Sequence, residues 1–414
     1  MPPQDAAWLG MERPTNLMVV TAVLMLDGAP DPAILRALVR ERVVDRHPSF
    51  RRIPRRTHRI WPRTVWDDDP ALDLAHHLHS TVLAGPVATH LDGFVSDLMS
   101  RPLDLRRPPW LMHLVSGSDG NAALVVRVHH CVGDGAALVQ VLLSLTAGEA
   151  DPPCPSSTGQ RRPATVRMVG SILRALVRVP LLANEPRTPL RGPLTTRKVV
   201  ARGAGTDLDP VRARARQQRC TVNDVVLAAV AGGLRELLVD RGIEPVDLRV
   251  LVPVDLRGAG APVPAALGNH FGMVIVALPV GEPDAARRLA EVHRRSLRAR
   301  TSAEAVAMFV GLTLLGVLPV ATQAIAVRLL GARATAVVTN VRGPAGVVAL
   351  AGRRVDGITF WVPQTGAVGL GVSVLSYAGR ISVGVSADAR LLTDPAALVR
   401  AIEAELRGPP TVGA

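Results

Sequence analysis

Two adjacent histidines followed by an acidic turn form the pattern in this chain whose residue types and spacing are best suited to chemistry. Residues 129–135 read His-His-Cys-Val-Gly-Asp-Gly. A neutral imidazole, with an ordinary pKa near about 6.5, can take a proton from a hydroxyl group at physiological pH. A second pair, His76-His77, is not followed by Asp-Gly and is predicted to be a structural or surface feature. The full spacing therefore indicates acid–base chemistry more strongly than a histidine pair alone.

The segments on both sides predict a strand, a turn and a helix that would position these histidines. Residues 123–128 are rich in valine, which favours a strand, and residues 136–145 are apolar nearly all round, as in a buried helix. The Gly-Asp-Gly between them is typical of a turn. Because side chains alternate along a strand, His130 should share the more apolar face with Val128, and His129 should point to the other face.

The members of the motif have different predicted roles. His130 is the predicted general base, and His129 supports the motif. Asp134 is predicted to be a structural charge that pins the turn, for example through Arg257, rather than a relay partner of the histidine. Gly135 is predicted to supply a flexible or positive φ that leads into the helix.

A metal site is the alternative use of histidine and aspartate within one turn. The sequence around the motif has no further His/Cys/Glu cluster at ligand spacing, so no metal is predicted. The three cysteines, Cys131, Cys154 and Cys220, are widely spaced and odd in number, which does not predict a disulfide framework. Cys131, inside the motif, is predicted to pack in the core.

Length and composition restrict the class of protein. A chain of 414 residues exceeds the size at which one hydrophobic core usually stops growing, so two domains are expected. A hydrophobic content of 48% with 20% charged residues is globular, and a net charge of +13 favours anionic partners such as a lipid surface or a phosphate-bearing molecule. Aromatic residues make up only 3%, so no nucleic-acid partner is predicted. Asp5 and Glu12 stand where a signal peptide would carry basic residues, which predicts a cytoplasmic location.

Six further segments resemble, in order, the sequence blocks of the bacterial wax ester synthase/acyl-CoA:diacylglycerol acyltransferase family. The histidine motif alone indicates only the wider superfamily, which also contains chloramphenicol acetyltransferase and the condensation domains of peptide synthetases. The ordered set runs over nearly the whole chain and is specific. The segments are residues 102–110, 221–227, 252–257, 267–269, 339–344 and 375–380.

The resemblance implies an α/β (α+β) fold of two chloramphenicol-acetyltransferase-like domains, each a mixed β-sheet with flanking helices, with an active-site tunnel at their interface. The expected domains are residues 1–150, which carry the histidine motif, and residues 196–414. Residues 151–195 begin and end in stretches rich in Pro, Ser and Arg, and form the expected crossover linker with a basic amphipathic helix.

The resemblance also implies roles for residues outside the motif. It gives Asn223 and Asp224 a place at the active site, where they could support a developing oxyanion, although either could equally cap the helix that follows. Trp110 would lie near the entrance of the tunnel. These roles follow from the resemblance to the family and not from the residue types alone.

The implied activity is transfer of a fatty acyl group from acyl-CoA to a hydroxyl of diacylglycerol or a long-chain alcohol, giving triacylglycerol or wax ester. Acyl-CoA is then a co-substrate, and no bound cofactor is predicted. The chain has no Gly-x-Ser-x-Gly nucleophile motif that would indicate a covalent acyl-enzyme. Three alternatives remain: a carrier-dependent condensation enzyme, an acyltransferase for a polyketide-derived alcohol, and a non-catalytic lipid-binding relative.

Three segments bear on contact with lipid or coenzyme A. Residues 305–327 are uncharged but interrupted by Gly and Pro, which predicts two consecutive buried or membrane-touching helices rather than one span. Residues 165–179 predict a basic helix that could lie on an anionic lipid surface or cap the domain junction. Arginines within residues 51–59 line a solvated hairpin or meet coenzyme A phosphates. Peripheral contact with a membrane or lipid-droplet surface is predicted.

Overall fold

The computed structural model describes residues 1–57, 63–147, 183–257, 267–363, 366 and 368–408. In its first half, the valine-rich segments at residues 19–26 and 122–129 form strands, and segments with apolar residues at helical spacing form helices. The helices are α1 (Pro3–Met11), α2 (Pro32–Val39), α3 (Val87–Met99) and α4 (Gly135–Ser144). The strands are β1 (Val19–Leu26), β2 (Arg52–Arg56), β3 (Thr64–Asp68), β4 (Leu78–Val82), β5 (Trp110–Ser116), β6 (Ala122–His129) and β7 (Thr146–Ala147).

The second half also combines strands with helices, and several of its helices are longer than those of the first half. The helices are α5 (Leu208–Gln217), α6 (Val222–Asp240), α7 (Ala285–Thr301), α8 (Glu304–Leu315), α9 (Val320–Gly331) and α10 (Pro395–Arg407). The strands are β8 (Lys198–Arg202), β9 (Thr206–Asp207), β10 (Leu248–Asp255), β11 (Phe271–Leu278), β12 (Ala336–Arg342), β13 (Ala349–Leu350), β14 (Arg353–Trp361), β15 (Leu370–Tyr377) and β16 (Arg380–Asp388).

The first sheet has the strand order β4-β5-β6-β1-β14-β13-β7. Strand β6 is antiparallel to β5 and β1, and Val19 at the start of β1 lies opposite His129 at the end of β6. Every residue of β6 is buried, as its unbroken valine-rich sequence favours. The histidine motif therefore begins at the end of a central, fully buried strand.

The second sheet has the strand order β11-β10-β12-β15-β16-β8, with β9 paired to β16. Strand β12 is parallel to β10 and β15, whereas β11, β16 and β8 join the sheet by antiparallel pairing. Its apolar side forms one hydrophobic core with helices α6, α7 and α10. The predicted fold class, with mixed sheets and flanking helices in both halves, is confirmed.

Strand pairing crosses the predicted domain boundaries. Strand β14 belongs to the C-terminal half of the chain, yet it pairs with β1 in the first sheet, with Thr21 opposite Trp361. The division into residues 1–150, 151–195 and 196–414 thus stays a prediction, and the sheets do not follow it strand by strand. Most of the predicted linker, including the predicted basic helix at residues 165–179, lies outside the described residues.

Two buried ion pairs hold the chain in place where it enters the second sheet. Glu185 accepts a hydrogen bond of 2.7 Å from the guanidinium of Arg249. The ammonium of Lys198 donates to Asp388 at 2.9 Å and to the carbonyl of Thr15 at 2.7 Å. The Glu185 pair holds the incoming chain against β10, and the two contacts of Lys198 tie β8 to the end of β16 and to the segment before β1.

Helices α8 and α9 form a hairpin that bears on the prediction for residues 305–327. The prediction of two consecutive helices is confirmed, with the break at residues 316–319. Among the described residues, no helix is both long enough and apolar enough to cross a bilayer. One side of the hairpin packs against α1, where a methyl group on Gly316 would lie 1.7 Å from the carbonyl oxygen of Pro3. The large apolar side chains that the hairpin exposes are Leu314, Val317, Ile325 and Leu329.

Candidate active site

The predicted strand, turn and helix of the histidine motif are all present. Strand β6 ends at His129, and helix α4 begins at Gly135. Both histidines are buried, with exposed fractions of 0% for His129 and 5% for His130. The ring of His130 stacks on Trp8, a member of the hydrophobic cluster that also contains Val128, whereas the ring of His129 faces Glu12. The two side chains thus have the different surroundings that strand alternation predicts.

The ring of His130 lies between two aromatic side chains. Its centroid is 3.9 Å from that of Trp8, with the planes 15° apart, and 5.6 Å from that of Phe271. The backbone is held on both sides of the ring, because the N–H of His130 donates to Met18 at 2.7 Å and its carbonyl accepts from the Asn269 amide at 2.8 Å. Burial lowers the pKa of His130 to about 4, so its imidazole is neutral at neutral pH.

His129 has a different environment, because a carboxylate faces its ring. Its Nδ1 accepts a hydrogen bond of 3.1 Å from the N–H of Cys131, so the ring proton of the neutral form lies on Nε2. That Nε2 is 3.0 Å from the carboxylate of Glu12. Burial raises the pKa of Glu12, but the contact with His129 outweighs burial and holds the pKa below its ordinary value. Glu12 therefore fixes the orientation of the first histidine.

Asp134 joins the turn to two other parts of the molecule. It is the N-cap of α4, and its Oδ1 accepts from the N–H of Ala137 at 3.0 Å. Its Oδ2 accepts from Arg257 at 2.5 Å and from the N–H of His270 at 2.9 Å. Arg257 also pairs with Asp255 at the end of β10. With both oxygens used as acceptors, Asp134 has the contacts expected of a charge that pins the turn.

The expectation of a positive φ at Gly135 is wrong. The glycines that have positive φ do not include Gly135, because it is the first residue of α4 and takes helical dihedrals. A methyl group at this position would meet no atom within 4 Å. Glycine here leaves open space at the helix start instead of providing an unusual backbone conformation. Cys131 is buried in the core, as predicted.

Asp224 is the centre of a buried polar cluster at the start of α6. It forms a capping box with Thr221 and accepts hydrogen bonds from His293 at 2.9 Å and from Arg300 at 2.9 Å, as well as from Ser296. Burial raises the pKa of Asp224, but these donors outweigh it and the pKa lies below its ordinary value. An ionised carboxylate has no hydrogen to donate, so Asp224 does not fit the expected oxyanion role.

Asn223 has a different orientation from its neighbour. Its side-chain oxygen lies 3.5 Å from the amide nitrogen of Asn340, near the end of β12. This contact uses the acceptor of Asn223 and leaves its NH₂ group to donate elsewhere. None of the contacts described for Asn223 joins it to His130, so its part in the site stays a prediction.

Trp110 is fully buried, which does not fit a place at a tunnel entrance. Its indole N–H donates to the carbonyl of Phe50 at 2.8 Å, and its ring stacks on His77 with centroids 4.3 Å apart. His77 in turn bonds the carbonyl of Trp110 at 2.8 Å. Strand β5 therefore directs Trp110 into the core of the first half. The prediction that His76-His77 is structural agrees with this packing.

The basic residues at 51–59 give no support to a coenzyme A phosphate site. Arg52 pairs with Asp68 at 2.9 Å, and Arg55 pairs with Asp67. Arg56 donates to the carbonyl of Leu9 at the end of α1. Residues 58–62 lie outside the described residues. The described arginines therefore form a solvated hairpin with its own counter-charges.

A small apolar cavity lies beside Val128, two residues before His130 in the sequence. It lies between β1, β6 and α4 and has a volume of about 20 Å³, which is room for about one water molecule. Within the described ranges, no group of three or more His, Cys, Asp or Glu side chains could hold a metal ion. The residues that line the cavity are Val20, Ala22, Phe50, Met112, Val126, Val128, Leu138, Val141 and Leu142.

The sequence reasoning missed the roles of four residues around the motif: Trp8, Glu12 and Asn269, which contact it, and Asp5, which holds Asn269. Asp5 accepts from the backbone N–H of Asn269 at 2.9 Å and from its side-chain amide at 2.8 Å, and the same amide reaches the carbonyl of His130. Burial raises the pKa of Asp5 to about 6. Trp8 and Glu12 contact the two histidine rings. The available signal was the spacing of Asp5, Trp8 and Glu12, which places them on one face of a helix.

Comparison with known proteins gives two family matches and several structural ones. Residues 1–181 match the wax ester synthase/diacylglycerol acyltransferase catalytic domain, and residues 267–408 match the WS/DGAT C-terminal domain. A probable diacylglycerol O-acyltransferase of Mycobacterium tuberculosis is 30% identical over 82% of this chain and 79% of its own length. A putative diacylglycerol O-acyltransferase of the same species is 28% identical over 94% of this chain and 86% of its own length.

The solved structures agree in fold over nearly the whole chain. The wax ester synthase/diacylglycerol acyltransferase of Marinobacter aquaeolei VT8 is 23% identical, with a TM-score of 0.71 and coverage of 98% of both chains. The first condensation domain of a calcium-dependent antibiotic synthetase is 19% identical, with a TM-score of 0.62 and coverage of 98% of this chain and 95% of that one. At these identities the likeness concerns the fold alone.

Proposed function

The chain belongs to the wax ester synthase/diacylglycerol acyltransferase family, and from that premise we propose that it moves a fatty acyl group from acyl-CoA to a hydroxyl of diacylglycerol or a long-chain alcohol, with His130 as general base. The products are triacylglycerol or wax ester and free coenzyme A. The observation that carries the assignment is the buried, neutral His130 at the end of the central strand, between the two halves of the chain.

The proposed reaction has a single transfer step with one proton relay. The imidazole of His130 takes the proton of the acceptor hydroxyl while that oxygen bonds to the thioester carbonyl carbon. Collapse of the resulting oxyanion breaks the carbon–sulfur bond, and the imidazolium returns the proton to the departing thiolate. The acceptor's proton thus ends on coenzyme A, and no covalent acyl-enzyme is needed. The Asn223 amide is the proposed support for the oxyanion.

A product assay tests this proposal directly. Wild-type protein and His130→Ala are compared with palmitoyl-CoA and either dioleoylglycerol or hexadecanol, and the ester and free thiol are both measured. Loss of a general base typically lowers turnover by about 10²–10⁴-fold. His76→Ala is the matched control, because His76 is an exposed histidine on a separate turn. A folded His130→Ala variant that keeps a near wild-type rate would contradict the assignment.

The main alternatives differ in the acyl donor that the enzyme would use. A condensation-type enzyme would use an acyl group carried on the phosphopantetheine of a carrier protein. The same product assay with palmitoyl-CoA and a palmitoyl carrier protein, side by side, distinguishes the two, and we expect turnover with palmitoyl-CoA. Lipid binding without turnover on either donor would identify a non-catalytic relative.

We also propose that the α8–α9 hairpin contacts a lipid surface. Its outer side exposes Leu314 by 54% and Ile325 by 61%, which is unusual for large apolar side chains on one short hairpin. Arg328 lies in the last turn of α9, three residues after Ile325, so a cation accompanies the apolar side chains. The proposed acceptor, diacylglycerol or a long-chain alcohol, is itself a lipid. Contact of the hairpin with a lipid surface would therefore bring the protein to the phase that contains its substrate.

A further inference from the structure

Helix α1 lies across both histidines and presents three side chains to them. Asp5, Trp8 and Glu12 are spaced three and four residues apart, which places them on one side of the helix and its C-terminal end. Trp8 covers the ring of His130, and Glu12 faces the ring of His129. Asp5 holds the Asn269 amide that bonds the His130 carbonyl. One helix thus contacts the whole histidine pair.

Helix α1 is itself fixed from the opposite side. A methyl group on Gly10 would lie 1.5 Å from the side-chain oxygen of Gln323 on α9, so the side chain of Gln323 packs directly on the backbone of α1. At its C-terminal end, Arg13 donates to the carbonyl of Gly10 at 2.9 Å and Arg56 donates to the carbonyl of Leu9 at 3.1 Å. Cations at the end of a helix complement its dipole. Trp8 is therefore presented to His130 from a rigid support.

The proposed chemistry needs a group that stabilises positive charge on His130. Burial keeps the imidazole neutral, but a buried base must become a cation when it takes the acceptor proton. The face of an aromatic ring attracts a cation within about 6 Å, most strongly when the pair is desolvated. Trp8 presents its face, nearly parallel to the imidazole at 3.9 Å, whereas Phe271 is tilted and more distant at 5.6 Å.

We propose that Trp8 is a positioning residue that holds the ring of His130 and favours its protonated form during acyl transfer. This inference rests on the proposed role of His130 as the base. Trp8 acts through the histidine and needs no contact with substrate. Its contribution should thus appear in kcat and in the titration of His130, and not in the binding of acyl-CoA.

Other charged groups near His130 must be held constant in any test of its titration. A tryptophan substitution changes none of them, so a shift in the pKa of His130 reports the ring contact itself. These groups are Asp134 and His129 from the same turn as His130, Asp5 from α1, which acts through Asn269, Arg257, which pairs with Asp134, and His270, whose backbone N–H donates to Asp134.

The experiment compares Trp8→Leu, Trp8→Met and Trp8→Phe with wild-type protein. Removal of the aromatic face should lower kcat by about tenfold to thirtyfold and change KM for acyl-CoA by less than about twofold. Trp8→Phe keeps an aromatic face and should recover most of kcat. Trp8→Met supplies a side chain that fills irregular space if Trp8→Leu folds poorly. The control is Trp361→Leu, because Trp361 is also buried but lies in a different hydrophobic cluster from Trp8, the tryptophan that stacks on His130.

A second readout does not depend on turnover. Titration of the His130 ring by NMR should give a lower pKa in Trp8→Leu than in wild-type protein, because the cation loses its aromatic partner. An unchanged titration, or a loss of kcat no greater than that of Trp361→Leu at matched thermal stability, would overturn the inference. If His130→Ala keeps turnover while the Trp8 titration shift is observed, the proposed base fails and the ring contact still stands, so the two failures are distinguishable.

Discussion

Asp134 and Arg257 are 123 residues apart in the sequence and are joined by a hydrogen bond of 2.5 Å. The pair links the turn after β6 in the first sheet to the end of β10 in the second, and both side chains are almost fully buried. Burial lowers the pKa of Arg257, but the two carboxylates around it outweigh burial and raise the pKa. The geometry of the histidine turn thus depends on a contact between the two halves of the chain.

Replacement of Asp134 by alanine should strongly destabilise the protein. The change leaves Arg257 with one carboxylate fewer in a buried site and removes the cap of α4, and the loss of one partner of a buried pair costs about 3–5 kcal/mol. Urea denaturation measures the free energy of unfolding. The double variant Asp134→Ala/Arg257→Met should recover part of the loss, because it removes the uncompensated cation. An unchanged denaturation midpoint in Asp134→Ala would contradict the structural role.

Asp5 on α1 and Glu12, the residue that follows α1, should give opposite dependences of stability on pH. The folded-state pKa of Asp5 is raised from 3.8 to about 6, so its stabilising contribution is full below 3.8 and is lost as the pH rises through 6. Asp5→Asn keeps the acceptor oxygen, and its stability relative to wild type should rise by about 2 kcal/mol between pH 4 and pH 7.

The lowered pKa of Glu12 gives the opposite dependence of stability on pH. Its contribution is present above the ordinary value of 4.5 and is lost as the pH falls through the folded-state pKa. Glu12→Gln should thus lose stability relative to wild type as the pH rises from acidic values to neutrality. Free energies of unfolding at several pH values test both variants together. Parallel pH trends in the two variants would show that burial and pairing do not act on them as described.

Substitution of Asp224 should lower stability, whereas substitution of its neighbour Asn223 should lower kcat. Asp224→Ala breaks a buried cluster with Arg300 and the cap of α6, and should cost about 3 kcal/mol of stability. Asn223→Ala removes a half-buried amide and should leave the melting temperature nearly unchanged while kcat falls by about 10²-fold or more, as for loss of an oxyanion donor. Equal kcat for Asn223→Ala and wild type would remove Asn223 from the mechanism.

The hairpin should determine binding to lipid vesicles. The variant Leu314→Ser/Ile325→Ser removes two exposed apolar side chains and should weaken co-sedimentation with phosphatidylglycerol-containing vesicles by about tenfold or more. Val82→Ser is the matched control, since Val82 is 79% exposed on β4, an edge strand of the first sheet. Equal binding by both variants would place the lipid contact elsewhere on the protein.

Local signals in the sequence predicted the histidine motif well. Strand β6, the turn and α4 follow from valine-rich, Gly-Asp-Gly and apolar stretches that are adjacent in the chain. Asp134 was expected to pin the turn through an arginine such as Arg257, and the structure shows that pair together with a cap at the start of α4. The ordered family segments predicted the fold class, although they did not reveal that β14 would join the first sheet.

Contacts between distant segments could not be predicted in the same way. The spacing of Asp5, Trp8 and Glu12 is that of any helix with one buried side, and the partner Asn269 of Asp5 lies 264 residues away. Trp110 was expected at an entrance, but its place on β5 directs it to His77 in the core. Gly135 was expected to have an unusual φ, whereas glycine there leaves space at the start of α4. Each of these outcomes depends on packing rather than on local propensity.

Helix α1 packs against the hairpin on one side, where Gly316 closely approaches Pro3, and against the ring of His130 on the other, through Trp8. Packed helices lie about 8–10 Å apart, so an acceptor lipid has to move roughly one helix diameter from a membrane-bound hairpin to the base. A long acyl chain extends further than this distance. On the proposed orientation, the acceptor hydroxyl can reach His130 while most methylene groups stay in the lipid phase, which avoids the penalty of about 0.8 kcal/mol for each one exposed to water.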